Sequence, residues 1–550
     1  MLALLAAAIQ AASGADTVTA KNGVVVTVSG PASDVGVSVL KDGGNAVDAA
    51  VATAFALAVT WPEAGNIGGG GYMVVVGGRD PVVFDFRETA PAAATRDMFV
   101  KQTDRFAHRR AGVPGTVRGL EMAHKKLGKK PWKTLVAPAI RLARDGFSLD
   151  AATARSLNGA LRAAKSDSAT ELRRVFGKAD RQWKAGDVLK QPDLARTLER
   201  VAEKGADGFY AGETAELIAA EMQRRGGLIT KNDLAAYRAI ERKPPHGTYR
   251  GCDVYGVPPS SSGGTCVMEM LNILENFHLA DHDRWSPETL HLLIEAMRRA
   301  YRDRAAYLGD PDFVKIPDKL LAKDYANELA KSIHPGKATP STDLAGDIKI
   351  ATEGGSTTHF SVIDKNRMAV SMTFTLEDSY GGKIVVKGGG FLLNDEMNDF
   401  NWLPGVTDTT GRIGTPSNIV APGKRMLSSQ SPTIVARDGK VILVTGSPGG
   451  RTIPNTVLNV VVNVIDFGMD ARQAVDAPRI HHQWLPDRVS VESALAKQHA
   501  EAIERLKAMG HAIKVAGERQ GDAHTIAVDA KTGRITGAAD RRRSGAAAGY

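Results

Sequence analysis

The stretch Gly354-Gly355-Ser356-Thr357-Thr358-His359-Phe360-Ser361-Val362-Ile363, with the residues that follow it to Leu376, constrains the fold more than any other part of the chain. Two glycines and a serine read as loop. The β-branched and aromatic run after them reads as a strand. Asp364-Lys365-Asn366-Arg367 supplies turn residues. Met368 to Leu376 then alternates small or polar residues with apolar ones, the period of a second strand. The two runs predict an antiparallel hairpin. Pairing Asp364 with Met368 across a three-residue turn sets Thr357 opposite Thr375. A slip of one residue sets Thr357 against Phe374 or Leu376 and still leaves the two hydroxyls near neighbours. Directly opposed β-carbons lie about 4.5–5.5 Å apart, within reach of hydroxyl contact. On pattern alone, two ordinary β-formers in a sheet are the commoner explanation.

The 550 residues can hold several domains or one large α/β sandwich. Charged residues are 24% of the chain, near the average for soluble proteins, which argues against extensive disorder. The formal charge of +9 is modest for this length. Its basic residues between Lys101 and Arg144 are scattered through helix-like segments, with no compact nucleic-acid motif, so no nucleic-acid partner is expected. Cys252 and Cys266 cannot make a tetrahedral metal site alone. A disulfide and two free buried thiols are both open. Residues 1–15 form an apolar core followed by small residues, as in a secretory signal, though without a positive n-region. The segment is too short to span a bilayer. Export to a periplasm or the exterior is the expectation.

Ser33 to Leu40 reads as a helix capped by Ser33 and stopped at Gly43-Gly44. Asn45 caps a second, Ala46 to Val59, apolar nearly all round and so buried, which Trp61-Pro62 ends. The glycines at 68–71 lack the strand, helix and Lys-Ser/Thr context of a phosphate cradle and read as close backbone packing. Tyr72 to Val76 and Val82 to Phe86 read as paired strands, with Arg87 at a strand end. Pro114 to Glu241 is mostly helical. Ser286-Pro287 starts another helix, ending at Gly309. Pro335 to Ile348 reads as an exposed linker where a cut would be tolerated. Gly389 to Leu393 is a short strand. Phe400 to Arg425 is a long loop of the kind that forms active-site lids. Val441 to Thr445 is a strand, Gly446 to Gly450 a tight turn, and Pro454 to Phe467 a helix ended by Gly468. The order of elements gives a mixed α/β protein.

Several motifs occur in order. They are Phe86-Arg87-Glu88-Thr89-Ala90-Pro91, the glycine run, Gly-Ser-Thr357-Thr358-His359-Phe-Ser-Val, Thr375, Leu393 to Phe400, Lys424 to Ser429, Thr445 to Gly450, and the closing Ala548-Gly549-Tyr550. Together they closely resemble the γ-glutamyltransferase (γ-glutamyl transpeptidase) family of N-terminal nucleophile hydrolases, over nearly the whole chain. The resemblance implies a four-layer αββα sandwich and a chain that cuts itself before Thr357. It implies a large segment 16–356 and a small segment 357–550 that stay associated in one domain. Thr357 matches the nucleophile, Thr375 the residue that orients it, and Gly449 and Gly450 the oxyanion hole. Arg87, Ser428 and Ser429 match the contacts to the substrate carboxylate, and Glu396 and Asp399 those to its ammonium. Glu377 stands where many members carry Asn and would add charge near the ammonium. The lid residues Asp408-Thr409-Thr410-Gly411 hold no aromatic where some members carry a gating Tyr, leaving Trp402 as the large ring beyond Phe400. Neither cofactor nor metal is implied.

The chemistry is consistent with these residue types. A Thr hydroxyl needs a nearby base, and an internal Thr has no free amine. A cut at Ser356–Thr357 supplies one, with a reference pKa near 8. Glycine N–H groups in a tight turn can hold an oxyanion. A guanidinium suits a planar carboxylate. The Gly446-Ser447-Pro448 segment lacks the spacing of a nucleophile elbow, so Ser447 is a weak rival. The expected activity is γ-glutamyl transfer from glutathione-like donors to water, amino acids or peptides. Rivals are a glutaryl-type β-lactam acylase on the same scaffold and a non-catalytic exported binding protein, against which the presence of both threonines argues.

Overall fold

The computed structural model describes residues 15–101, 108–178, 182–346, 348, 357–517 and 520–550. The leader-like residues before Ala15, and Gly354-Gly355-Ser356, lie outside the described residues. The hairpin forms in the register set by its turn. Thr358–Ile363 pairs with Ala369–Thr375, Thr358 opposite Phe374 and Ile363 opposite Ala369. Carried one residue further, that register sets Thr357 opposite Thr375. Asp364 fastens the turn: its carboxylate accepts from the N–H groups of Asn366 (2.8 Å) and Met368 (3.1 Å), and from that of Ala46 (2.9 Å).

The hairpin lies near the middle of a seven-stranded sheet. In spatial order the strands are Ala546–Gly549, Val24–Thr27, Thr358–Ile363, Ala369–Thr375, Gly70–Val76, Val82–Asp85 and Ile240–Arg242. A second sheet of seven runs Thr17–Ala20, Ile535–Ala538, Thr525–Val528, Lys440–Thr445, Thr433–Arg437, Cys252–Tyr255 and His246–Tyr249. Every pairing within the two is antiparallel. Strand residues alternate between two buried faces. Val24, Val26, Val74 and Ile363 meet Ile434, Val444 and Ile526 between the sheets. Val25, Met73, Val75, Val362 and Met372 pack under the helices Gly30–Lys41 and Ala46–Thr60. On the far side, Val254, Val435 and Leu443 pack under Gly263–Leu274, Pro287–Tyr307 and Ile453–Ile465. The layers run helix, sheet, sheet, helix: the αββα sandwich that the family resemblance implied. Burial on both faces explains why these strands are so uniformly apolar or small.

The glycine run packs as expected. A Cβ on Gly69 would stand 2.0 Å from the Thr375 carbonyl oxygen, and one on Gly71 2.3 Å from that of Thr373. Glycine lets the Gly70–Val76 strand close on the strand that carries Thr375. Asn45 closes a capping box with Asp48, and every residue from Ala46 to Thr60 is buried.

Some expectations need correction. The first helix starts at Gly30 with Ser29 as its cap, and Pro31 sits in its first turn. Ser33 lies inside it, its hydroxyl donating to the Ala546 carbonyl (2.8 Å) and lying 3.1 Å from Thr27 Oγ1. The strand expected at Gly389–Leu393 is only Leu392–Leu393, paired with Ile384–Val385. The linker expected at Pro335–Ile348 is anchored at Ala338 and Ser341 rather than free. Ala338 N–H bonds the Met509 carbonyl (2.7 Å), and the buried Ser341 accepts from Arg298 (2.7 Å) and donates to the Trp484 carbonyl (2.7 Å). Cys252 and Cys266 are buried free thiols.

The close approach at Gly69 is testable by unfolding. Gly69→Ala drives a methyl into backbone and should cost at least about 3 kcal/mol. Gly43→Ala, at φ +86° with no atom within 4 Å of the new methyl, bears only left-handed strain, about 1 kcal/mol. Equal losses in the two variants would contradict the packing described.

Candidate active site

Thr357 and Thr375 open onto a cavity of about 600 Å³ whose wall includes Arg87, Glu377, Asp399, Ser428, Ser429 and Gly450. Glu396 and Gly449 stand immediately behind that wall, Glu396 against Arg87 and Gly449 beside Gly450. Thr375 is held at both ends. Its Oγ1 accepts the Glu377 N–H (2.8 Å), and its carbonyl accepts from Asn66 Nδ2 (2.8 Å). Asn66 in turn accepts from Gly69 N–H (2.9 Å) and the Thr116 hydroxyl (2.8 Å), which ties the glycine run to the site.

Next along the strand, the His359 ring lies between Thr373 Oγ1 (2.8 Å) and Ser361 Oγ (3.1 Å). Burial, with His524 nearby, holds its pKa well below the usual imidazole range. A neutral ring with both nitrogens engaged is a spacer between the sheets, not a base for Thr357. Ser447, the weak rival, is fully committed: it donates to the Pro448 carbonyl (2.7 Å) and accepts from Asp522 N–H (2.8 Å). Gly449 and Gly450 adopt φ of +131° and +56°, conformations that favour glycine, and lead into the Ile453–Ile465 helix.

Arg87 is wholly buried. Its Nη1 meets Glu396 Oε2 at 2.6 Å and Glu88 Oε2 at 3.5 Å, its Nη2 pairs with Asp399, and Nε donates to the Met426 carbonyl (3.2 Å). The family resemblance gives Arg87 to the substrate carboxylate and the acids to its ammonium, which suggests separate places. The structure sets it against them, because a guanidinium removed from water needs counter-charge at contact distance. Burial works against the Arg87 charge, but Glu396, Asp399 and Glu88 outweigh it and hold the group cationic. Glu377, Glu396 and Asp399 each bring an oxygen within 4.8 Å of the others. Burial first, then the neighbouring acids, pushes the Glu377 carboxyl well above the usual range. Burial does the same to Glu396 against the pull of Arg87. Burial also raises Glu88 to about 8. Glu377 adopts φ +76°, a region that Asn enters more readily than Glu.

Elsewhere on the cavity lining, Ser428 Oγ accepts from Gln430 N–H (3.1 Å) and Ser429 Oγ from Arg304 Nη2 (3.0 Å). The sequence reading did not find Arg304, Gln430, Arg110 or Arg451 at this cavity. The Phe400–Arg425 loop borders it. Trp402 stacks on Phe99 at 4.7 Å with the Arg110 guanidinium 4.2 Å from its ring, and Arg451 Nη1 donates to the Gly411 carbonyl (2.8 Å).

Away from the cavity, His291, Glu295 and His511 have metal-like spacing. Their lone pairs are already spent. His291 Nε2 meets the His334 carbonyl (2.8 Å), so it carries the hydrogen, and His291 Nδ1 accepts from His511 Nε2 (2.8 Å). Glu295 pairs with Arg298 and Arg299.

The chain matches the family model described as Gamma-glutamyltranspeptidase over residues 32–550. It is 46% identical over 534 residues to the glutathione hydrolase proenzyme of Escherichia coli (strain K12), covering 96% of this chain and 91% of that protein. Among solved structures it resembles the cephalosporin acylase of Bacillus halodurans, with TM-score 0.86, 28% identity and 99% and 98% of the two chains covered. It also resembles the γ-glutamyltranspeptidase of Helicobacter pylori, with TM-score 0.56, 42% identity, 59% of this chain and 96% of that chain covered.

The buried acids make stability depend on pH. Because the Glu88 pKa rises from 4.5 to about 8, the folded protein keeps a proton there that the unfolded chain has lost. The stability this proton supports is fully present below the unfolded value and is lost as pH rises towards 8. Gln cannot lose that proton. The stability of Glu88→Gln relative to wild type, from denaturant midpoints, should therefore grow between about pH 5 and 8 and then level off. A difference that stays constant with pH would contradict the assignment.

Proposed function

The chain belongs to the γ-glutamyltranspeptidase family, and on that premise we propose a self-processing γ-glutamyltransferase and glutathione hydrolase with Thr357 as its nucleophile. The observation that carries the assignment is the opposition of Thr357 and Thr375 on one cavity whose surroundings also hold an acid cluster and a pair of serine hydroxyls.

In maturation, Thr357 Oγ1 attacks the Ser356 carbonyl carbon, the acyl group shifts from nitrogen to oxygen, and water hydrolyses the ester. Segments 16–356 and 357–550 result. They remain together, because the Thr358–Ile363 strand lies beside Val24–Thr27 and Ala369–Thr375 lies beside Gly70–Val76. The new α-amine, with a reference pKa near 8, then takes the Thr357 hydroxyl proton. Thr357 Oγ1 attacks the donor's γ-carbonyl carbon. N–H groups at Gly449 and Gly450 hold the oxyanion. The amine returns its proton to the leaving nitrogen, and a γ-glutamyl ester remains on Thr357. Water releases glutamate from that ester; an amino acid or peptide amine takes the acyl group instead. Thr375 orients the nucleophile. Glu377, Glu396 and Asp399 receive the donor ammonium, and Arg87, Ser428 and Ser429 its carboxylate. The leader-like residues 1–15 support a periplasmic or secreted enzyme.

The likeness to a cephalosporin acylase raises a second reading, hydrolysis of glutaryl amides. The acid cluster argues against it. A glutaryl donor has the same chain length but no α-amine, so it leaves buried carboxylates without their partner. Sites built to pair a polar substrate group reject the analogue lacking it by roughly 10⁴–10⁵-fold in kcat/KM. A proton shared among the acids of the empty site softens that penalty, so a preference somewhat below that range is expected. The measurement is kcat/KM of the processed enzyme for matched γ-glutamyl and glutaryl anilides. Comparable values would favour the acylase and remove the three acids from the ammonium site.

A further inference from the structure

Among the described residues, Arg304 carries a charge at this cavity that no carboxylate balances. It sits in the last turn of the Pro287–Tyr307 helix, is 8% exposed, and lines the cavity with Thr357. Its Nε donates to Ser262 Oγ (2.9 Å) and its Nη2 to Ser429 Oγ (3.0 Å). Among the described residues no carboxylate pairs with it. Neighbouring Asp303 is taken by Arg302 (2.7 Å) and by the Tyr325 hydroxyl (2.6 Å). A buried cation without a partner is costly, and one on a cavity wall is a site for an anion.

Its hydrogen bonds also set the polarity of the wall. A serine hydroxyl has one hydrogen. Ser429 Oγ accepts from Arg304, and Ser428 Oγ accepts from Gln430 N–H, so each keeps its hydrogen to donate into the cavity. Ser262, gripped by the same guanidinium, donates both its hydroxyl (2.7 Å) and its N–H (2.8 Å) to the Ser428 carbonyl. Gln430, 1% exposed and with neither side-chain amide atom partnered, lines the same cavity. Two hydroxyl donors, an amide and an uncompensated guanidinium make a receptor for a carboxylate. Arg87 already has Asp399 paired with it.

We propose that Arg304 is a positioning residue for the donor's α-carboxylate: it makes the Ser429 hydroxyl a donor and adds a second positive charge to that of Arg87. The proposal rests on the γ-glutamyl reading above. It names a residue on the carboxylate side of the pocket, whereas that reading is tested on the ammonium side.

The test compares γ-glutamyl anilide with 4-aminobutyryl anilide, which keeps the amine and lacks the carboxylate, on processed wild type, Arg304→Gln and Arg304→Lys. In Arg304→Gln the preference for γ-glutamyl over 4-aminobutyryl, as a ratio of kcat/KM, should fall roughly 10–100-fold, mostly through KM, the scale of one charge-assisted hydrogen bond. Arg304→Lys, which keeps the charge and loses the fork, should fall less. Equal losses on both donors would make Arg304 merely structural and overturn the proposal. So would a loss confined to glutathione with γ-glutamyl anilide unaffected, which would assign the guanidinium to the leaving dipeptide's carboxylate. If Arg304→Gln does not fold, the same ratio in Arg304→Lys decides. Wild type that turns over neither donor, or both equally, would instead sink the γ-glutamyl reading.

Discussion

The register of the Thr358–Ile363 and Ala369–Thr375 hairpin is the constraint on which the site depends. Side chains alternate along a strand, so a slip of one residue would exchange the hairpin's apolar face with its polar one. Phe360, Val362, Met372 and Phe374 would then leave the helical layer, and His359, Ser361, Ser371 and Thr373 would be buried among apolar groups. Burial on both sides therefore locks the pairing. The polar face is satisfied between the sheets: Ser361 donates to the His524 carbonyl (2.7 Å) and Ser371 to the Thr445 carbonyl (2.9 Å). Thr357 and Thr375 are the end of that same polar stripe, at the point where the layer opens to the cavity.

The cavity itself is organised by charge. Its surroundings gather Glu377, Glu396 and Asp399 around a buried guanidinium, and its lining also holds the Ser428 and Ser429 hydroxyls, the latter bonded by Arg304. An amino acid head group has the same division, an ammonium and a carboxylate on one carbon. The raised pKa values of Glu377 and Glu396 follow from crowding acids in a desolvated place. On the proposed reading an incoming ammonium would relieve that crowding, and donor binding would be coupled to loss of protons from the acid cluster. The left-handed backbone at Glu377 belongs to the same arrangement, since its N–H caps Thr375 Oγ1 while its carboxylate joins the acids.

Much of this was legible in the sequence because it is local. Asp364 and the alternation after Met368 specify the register. Asn45 announces its helix, and the glycines at 68–71 announce a close approach. The first helix was misjudged at its start although Pro31 was the available signal, since proline marks a first turn better than Ser33 marks a cap. What could not be read is long-range. Arg87 meets Glu396 and Asp399 across more than 300 residues, and Arg304 meets Ser429 across 125. No periodicity carries such information. In sequence Arg304 is one of several arginines on an amphipathic helix, and only the packing of that helix against Gly263–Leu274 within the helical layer brings it to the cavity.

The central claim is that Thr357 both begins the smaller fragment and carries the transferred acyl group. Mass spectrometry of the processed protein, quenched in acid during turnover of a γ-glutamyl anilide, tests it directly. The account predicts two fragments, one ending at Ser356 and one spanning 357–550, with the γ-glutamyl mass added to the second alone and located on Thr357. An unbroken chain turning over donor at full rate, or an adduct on any other residue, would contradict it.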